Sequence, residues 1–286
     1  MKRSFYRRRL NRGLAGDIAI FIFLTAAGIF TALPLVMAIS NAFKPLNELF
    51  LFPPQFFVRN PTLQNFADLF ILMGQSWIPL TRYLSNSLLI VVFGMAGNLF
   101  FGSLAAYALS KHDFFGKNFV NTMIVLSLMF APAVVTIPRY LTIASLGWID
   151  NYFAVIVPAW ASTLGLYLLR NFIDAMVPDA LLESARLDGA SELKIYWHIV
   201  MPIVKPAWLT LIILAFQQLW GETGGQYIYS EALKPLPYAL DQIVKGGVAR
   251  QGVGSAVALI MMMVPITVFI INQSQIVETM GTSGIK

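Results

Sequence analysis

Few side chains in this sequence have the chemistry to make or break bonds. The 286 residues include no cysteine, which removes thiolate catalysis, disulfides and Cys-ligated metals. The two histidines, His112 and His198, lack the His-Glu-x-x-His spacing that sets two zinc ligands on one helical face. No Gly-x-x-x-x-Gly-Lys-Ser/Thr stretch is present to wrap a phosphate in backbone N–H groups, and no Gly-x-Ser-x-Gly to present a serine nucleophile. The expectation is no catalytic residue, no metal and no cofactor bound by this chain. Two other sets remain. One is acidic and clustered: Asp174, Asp179, Glu183, Asp188 and Glu192, a pattern suited to docking through charge pairs. The other is neutral: Asn98, Tyr107, Thr136, Trp160, Tyr167, Gln217, Gln218 and Trp220 place amide, hydroxyl and indole groups within apolar sequence. Such groups suit a polyhydroxylated solute, and they serve equally as interhelical hydrogen bonds or interface anchors.

The elements that position these residues are membrane helices. Hydrophobic residues make up 57% of the chain and charged ones 12%, with a mean hydropathy of +0.69. A soluble domain carries roughly 25% charged residues. Disorder is excluded by 22 Phe, 10 Tyr and 6 Trp. Uncharged runs place six spans at about 18–43, 83–110, 118–140, 151–170, 200–221 and 251–277. Each has the roughly 17–25 residues a crossing needs, the fifth only if Lys205 snorkels to the interface. The first run is too long for a signal peptide and has no clear cleavage site, so it reads as a span. The expected fold is an all-α polytopic membrane protein: a cytoplasmic segment 1–17, then one permease-like domain over 18–286.

Orientation follows from Lys and Arg. With the N-terminus inside, inner segments hold thirteen and outer segments seven, six of the thirteen (Lys2, Arg3, Arg7, Arg8, Arg9 and Arg12) preceding the first span. Both termini are therefore expected in the cytoplasm. The net charge of +6 becomes an orientation signal, with no nucleic acid needed as partner. The outer loop 44–82 is aromatic, and Asn60-Pro61-Thr62 turns into a short amphipathic helix. The outer stretch 222–250 reads as mixed. Mid-span charges are nearly absent, which argues against a proton- or sodium-coupled carrier.

The inner loop of about 174–202 carries most of the information. Pro178 suits a first helical turn, Gly189 the left-handed residue that ends a helix, and Ser191 the cap of a second helix. Glu183-Ser184-Ala185, three residues, Gly189, nine residues, then Ile199-Val200-Met201-Pro202 resembles the EAA motif of binding-protein-dependent ABC importer permeases. Tyr83-Leu84-Ser85-Asn86-Ser87-Leu88, Ser103-Leu104-Ala105-Ala106-Tyr107 and the tail Gly281-Thr282-Ser283-Gly284-Ile285-Lys286 are similar to the carbohydrate branch, which includes the smaller maltose permease. Trp220-Gly221-Glu222-Thr223 departs from the Trp-Asn-Asp/Glu-Phe common in that branch.

The resemblance implies a MetI-like permease core in the bacterial cytoplasmic membrane. It implies a sugar or oligosaccharide as solute, and an ATPase-coupling helix carrying Glu183, Ser184, Ala185, Asp188, Gly189, Ala190, Ile199 and Pro202. It also implies partners: a second, different permease, two ATP-binding subunits that hold ATP and Mg, and an extracytoplasmic solute-binding protein. The competing class is an ATP-independent secondary transporter or channel, set apart by lacking such a loop.

Overall fold

The structure is a computed structural model that describes residues 14–74, 77–247 and 250–283. The basic residues before position 13 and the tail Gly284-Ile285-Lys286 lie outside the described residues. By contact the chain divides into two compact units. One comprises residues up to Leu69 together with Gly247–Leu259, and the other Phe70–Gly246 together with the chain from Ile260 onward.

In the first unit, α1 (Leu14–Phe43) is a long helix whose Phe21, Phe23 and Phe30 are all exposed, as a lipid-facing helix requires. The loop after it, which includes α2 (Leu46–Leu49), buries charge. Lys44 is 3% exposed and bonds the Asn41 Oδ1 at 2.9 Å and the Gln55 carbonyl. Glu48 accepts from the N–H groups of Arg59 (3.1 Å) and Asn60 (2.9 Å). Asn65, on α3 (Gln64–Gly74), donates to the carbonyls of Ala42 (2.9 Å) and Lys44 (2.8 Å). Burial is tolerated because each of these groups has partners.

The second unit is organised by α4 (Leu80–Lys111), against which α7 (Phe153–Trp160), α8 (Thr163–Met176) and α12 (Lys205–Trp220) pack. Small residues let these helices approach. A Cβ on Gly94 would stand 2.6 Å from Leu219 Cδ1, and one on Gly97 would overlap the Trp160 indole. Two apolar cores result. One gathers Leu169, Ile173, Leu182, Ile195, Val200 and Leu211, the other Ile90, Ile143, Ile156, Phe216 and Ile228.

Among the described residues, four helices are long and apolar enough to cross a membrane, and up to six if each of two bent pairs counts as one span. The bends are where the structure departs from the expected continuous spans. The third is broken into α5 (Lys117–Leu128) and α6 (Pro132–Ser145), bent by 115°, with Pro132 opening the second half because it has no N–H to give a preceding turn. The fourth pauses at Ala161-Ser162, where Ser162 Oγ accepts from the Gly165 N–H at 3.2 Å, and α8 runs on to Met176 rather than stopping at 170. The fifth starts at Lys205, bent 81° from the helical stretch before it. The stretch read as outer and mixed contains a further helix, Leu236–Val244, with Pro235 at its cap and Pro237 in its first turn.

Candidate functional site: an anchored docking helix

The acidic loop folds as α9 (Asp179–Leu187), a glycine turn, and α10 (Glu192–Ile195). Pro178 precedes the first turn with an extended backbone, φ −67° and ψ 139°, one residue before the position expected of it. The end of α9 is closed twice. The Gly189 N–H donates to the Arg186 carbonyl and the Ala190 N–H to the Ala185 carbonyl, both at 3.0 Å. That pair of bonds requires a left-handed residue, and Gly189 has φ +78°. Ser191 occupies the cap position of α10 as expected, but its side chain makes no capping bond there. After α10 a π-helical turn (Tyr196–Val200) brings the Met201 N–H to the Tyr196 carbonyl, just before Pro202 in α11 (Met201–Ile203).

α9 is two-faced. Leu182 and Ala185 are buried, whereas Glu183, Ser184, Leu187 and Asp188 are exposed, Leu187 at 89%. Leu193 beside them is 65% exposed. Ala190 and Ile199 are half-buried and Pro202 is exposed. The residues expected to couple thus divide: Ala185 seats the helix, and the others surround or form an open patch.

The loop is held to the last turns of α4. Tyr107 Oη donates to Glu192 Oε2 at 2.7 Å, and Ser103 Oγ and Tyr196 Oη share a buried hydrogen bond of 2.6 Å. Lys111 Nζ donates to Asp179 and to the Val177 carbonyl, each at 2.7 Å. Ser110 donates to Asp174, which also faces Arg170 at 3.7 Å. Glu192 takes Arg186 Nε at 2.7 Å as well. The Lys111 ammonium holds the Asp179 carboxyl below the ordinary carboxylate range, by its hydrogen bond first and its charge second. The five acids are therefore not one docking set. Asp174, Asp179 and Glu192 are committed inside the molecule, and among the described residues Glu183 and Asp188 form no ion pair.

The neutral set is scattered rather than gathered into one path. Asn98 and Gln218 do share a small cavity of about 100 Å³. Asn98 donates there to the Ala159 carbonyl at 2.6 Å, and its own buried Oδ1 lacks a donor. Trp160 donates to the Phe93 carbonyl at 3.0 Å and lines a separate, apolar cavity of about 590 Å³ with Phe101, Phe119 and Met123. Trp220 is buried, stacked on Phe216 and bonded to the Met261 carbonyl at 3.1 Å, which makes it core. Thr136 lines a third cavity of about 260 Å³ with Arg139, Glu222 and Gln226. Tyr167 is half-buried and Gln217 exposed. Tyr107 serves the loop, not a solute path.

Sequence reasoning missed the fastening at the opposite end of α4. Asn86 donates to the carbonyls of Ala232 (2.9 Å) and Lys234 (2.8 Å) and accepts from Tyr152 Oη (2.7 Å). Ser87 Oγ accepts the Leu236 N–H at 2.7 Å, and Tyr83 Oη donates to Glu231 at 2.7 Å. Asp150, at φ +60°, accepts from the N–H groups of Tyr229 (2.9 Å) and Ser230 (2.7 Å). The Ser230 hydroxyl and N–H lead the bonds that lower the Asp150 carboxyl from its usual value. The available signal was a polar pair, Asn86-Ser87, at the start of an apolar run.

Residues 98–279 match the protein family described as "Binding-protein-dependent transport system inner membrane component". The chain is 32% identical over 238 residues to Protein LplC of Bacillus subtilis (strain 168), across 81% of this chain and 76% of that one. It is 31% identical over 251 residues to the polygalacturonan/rhamnogalacturonan transport system permease protein YtcP of the same organism, across 84% of each chain. Its fold is like that of a chain in the crystal structure of a bacterial ABC transporter involved in the import of the acidic polysaccharide alginate. The TM-score is 0.77, with 21% identity, over 92% of this chain and 98% of that one.

Proposed function

This chain belongs to the family of binding-protein-dependent transport system inner membrane components and is the permease subunit of an ATP-driven solute importer; from that premise we propose that it imports a sugar or oligosaccharide, driven through α9. The observation that carries the coupling role is the open face of Glu183, Ser184, Leu187 and Asp188 on a helix whose other face is packed and bonded to α4. An unpaired carboxylate and an exposed leucine side by side suit a socket with basic and apolar walls. Gly189 and Ala190 keep the bend small beside it. Residues 18–286 act as one permease domain forming half of the path. Both termini and α9 lie on the cytoplasmic side, and the bacterial inner membrane is the setting. Two ATP-binding subunits hydrolyse ATP with Mg, a different permease completes the path, and an extracytoplasmic binding protein delivers the solute.

The sugar assignment is supported by relatives named as saccharide transport permeases, and by a chain whose described spans offer amide, hydroxyl and aromatic groups rather than mid-span carboxylates. Purification of the intact assembly through this chain tests both parts. ATPase and binding-protein subunits should co-purify, and one or more of a panel of neutral and acidic oligosaccharides, presented on the binding protein, should stimulate hydrolysis. Uptake that survives ATP depletion, or an assembly without an ATPase, would contradict the proposal.

A further inference from the structure

One carboxylate in the loop has a different position from the rest. Asp174 and Asp179 each tie one stretch of chain to the end of α4. Glu192 meets three: Arg186 on α9 at 2.7 Å, Tyr107 on α4 at 2.7 Å, and His112, just past the end of α4, at 3.3 Å. It begins α10, four residues before the π-helical turn whose Tyr196 bonds Ser103, one helical turn from Tyr107 on α4. Tyr107 is 5% exposed and its ring packs near Tyr196, 5.9 Å between centroids, so its hydroxyl has little room to find another acceptor. A charge-assisted bond from a fixed, buried phenol is directional and short, which makes it a stiff connection where exposed ion pairs are loose.

We propose that Glu192 is a positioning residue for coupling: it joins the docking helix to α4, so that displacement of α9 moves α4 rather than bending the glycine turn. The proposal rests on α9 being the ATPase contact. The geometry distinguishes it from simple loop stabilisation. If Glu192 only closed the turn, its Arg186 bond would suffice, and Tyr107 would be free to remain an apolar core ring. Instead Oε1 takes Arg186 Nε at 2.7 Å, while Oε2, which Arg186 Nη2 reaches only at 3.4 Å, takes the Tyr107 hydroxyl of α4 at 2.7 Å.

The test uses the full assembly carrying nitroxides at Leu88→Cys on α4 and Leu214→Cys on α12, exposed positions in a chain without native cysteine. Trapping with ATP and vanadate should shift the distance distribution in the parent. In Glu192→Gln and in Tyr107→Phe the shifted population should fall about tenfold, the weight of one charge-assisted bond on a two-state equilibrium, while the ATPase still co-purifies and hydrolyses ATP. A normal shift per trapped nucleotide in Tyr107→Phe overturns the proposal, whether or not Glu192→Gln assembles. A parent that retains no ATPase, or shows no shift, refutes the coupling reading beneath it, which is a different outcome.

Discussion

The two ends of α4 are fastened by different chemistry. At the Leu80 end, Asn86 and Ser87, both almost entirely buried, bond to neutral backbone groups of Ala232, Lys234 and Leu236, with the Tyr83–Glu231 bond beside them. At the Lys111 end, Tyr107, Ser110 and Lys111 reach carboxylates on the α9 loop, with Asp179 77% exposed at its side chain. Buried neutral bonds to a backbone fix one geometry and are costly to leave unmade. Exposed ion pairs such as Lys111–Asp179 hold while letting the partner shift by a rotamer, with the Tyr107–Glu192 bond as the stiff link among them. The first end is built as a fixed mount, the second as a polar joint.

The largest effect should come from breaking the mount. Asn86→Ala leaves the Lys234 carbonyl and the Tyr152 hydroxyl short of a partner and the Ala232 carbonyl with Arg82 Nε, at a cost on the order of 3 kcal/mol. Thermal unfolding in detergent should show a clear loss of stability, insensitive to salt, with ATPase association retained. A loss of ATPase association without a drop in stability would reverse the roles of the two ends. Gly189→Ala comes next. A Cβ there meets nothing within 4 Å, so the cost is conformational alone, about 1–2 kcal/mol for a left-handed alanine. It should weaken ATPase co-purification far more than it lowers overall stability.

How much of this was legible in the sequence depended on what kind of signal it left. Uncharged runs and the Pro178–Gly189–Ser191 punctuation announce helices and a bend because composition and backbone preference are local properties. The break before Pro132 and the pause at Ser162 lie inside runs that stay apolar on both sides, so hydropathy passes over them. The acidic cluster read as one docking set because sequence cannot show which carboxylates are already occupied by Lys111, Arg186 and Arg170. The hydroxyl of Tyr107 suggests a solute path from sequence alone, although the residue stands only four positions before the Lys111 that ends α4. Depth along the helix, read from that lysine, would have put it at the loop.

A moderate effect should follow from salt and pH at the joint. Asp179 is depressed in the folded state, so its contribution is present above the unfolded value near 3.9 and is lost only as pH falls through the lower folded value. Protease protection of the α9 loop should thus be flat from about pH 5 to 8 and decline below about pH 4. It should weaken in high salt, where exposed pairs are screened, whereas the 232–236 stretch should not. A decline centred near neutral pH would contradict this assignment to Asp179. The smallest effect belongs to capping. Ser162→Ala removes a real cap bond and should cost about 1 kcal/mol, whereas Ser191→Ala removes none and should stay within about 0.5 kcal/mol. Equal costs at the two serines would show that the α10 cap forms after all.

The central claim, that the open face of α9 meets an ATP-hydrolysing partner, is tested most directly by site-specific cross-linking in the purified assembly. Single cysteines replace Glu183, Leu187 and Asp188 on that face, with Tyr229, an exposed residue near the other end of α4, as the control. The account predicts that all three α9 positions cross-link to the ATPase subunit, Leu187 most strongly, and that Tyr229 does not. Cross-linking at Tyr229 with none at Glu183, Leu187 or Asp188 would contradict it.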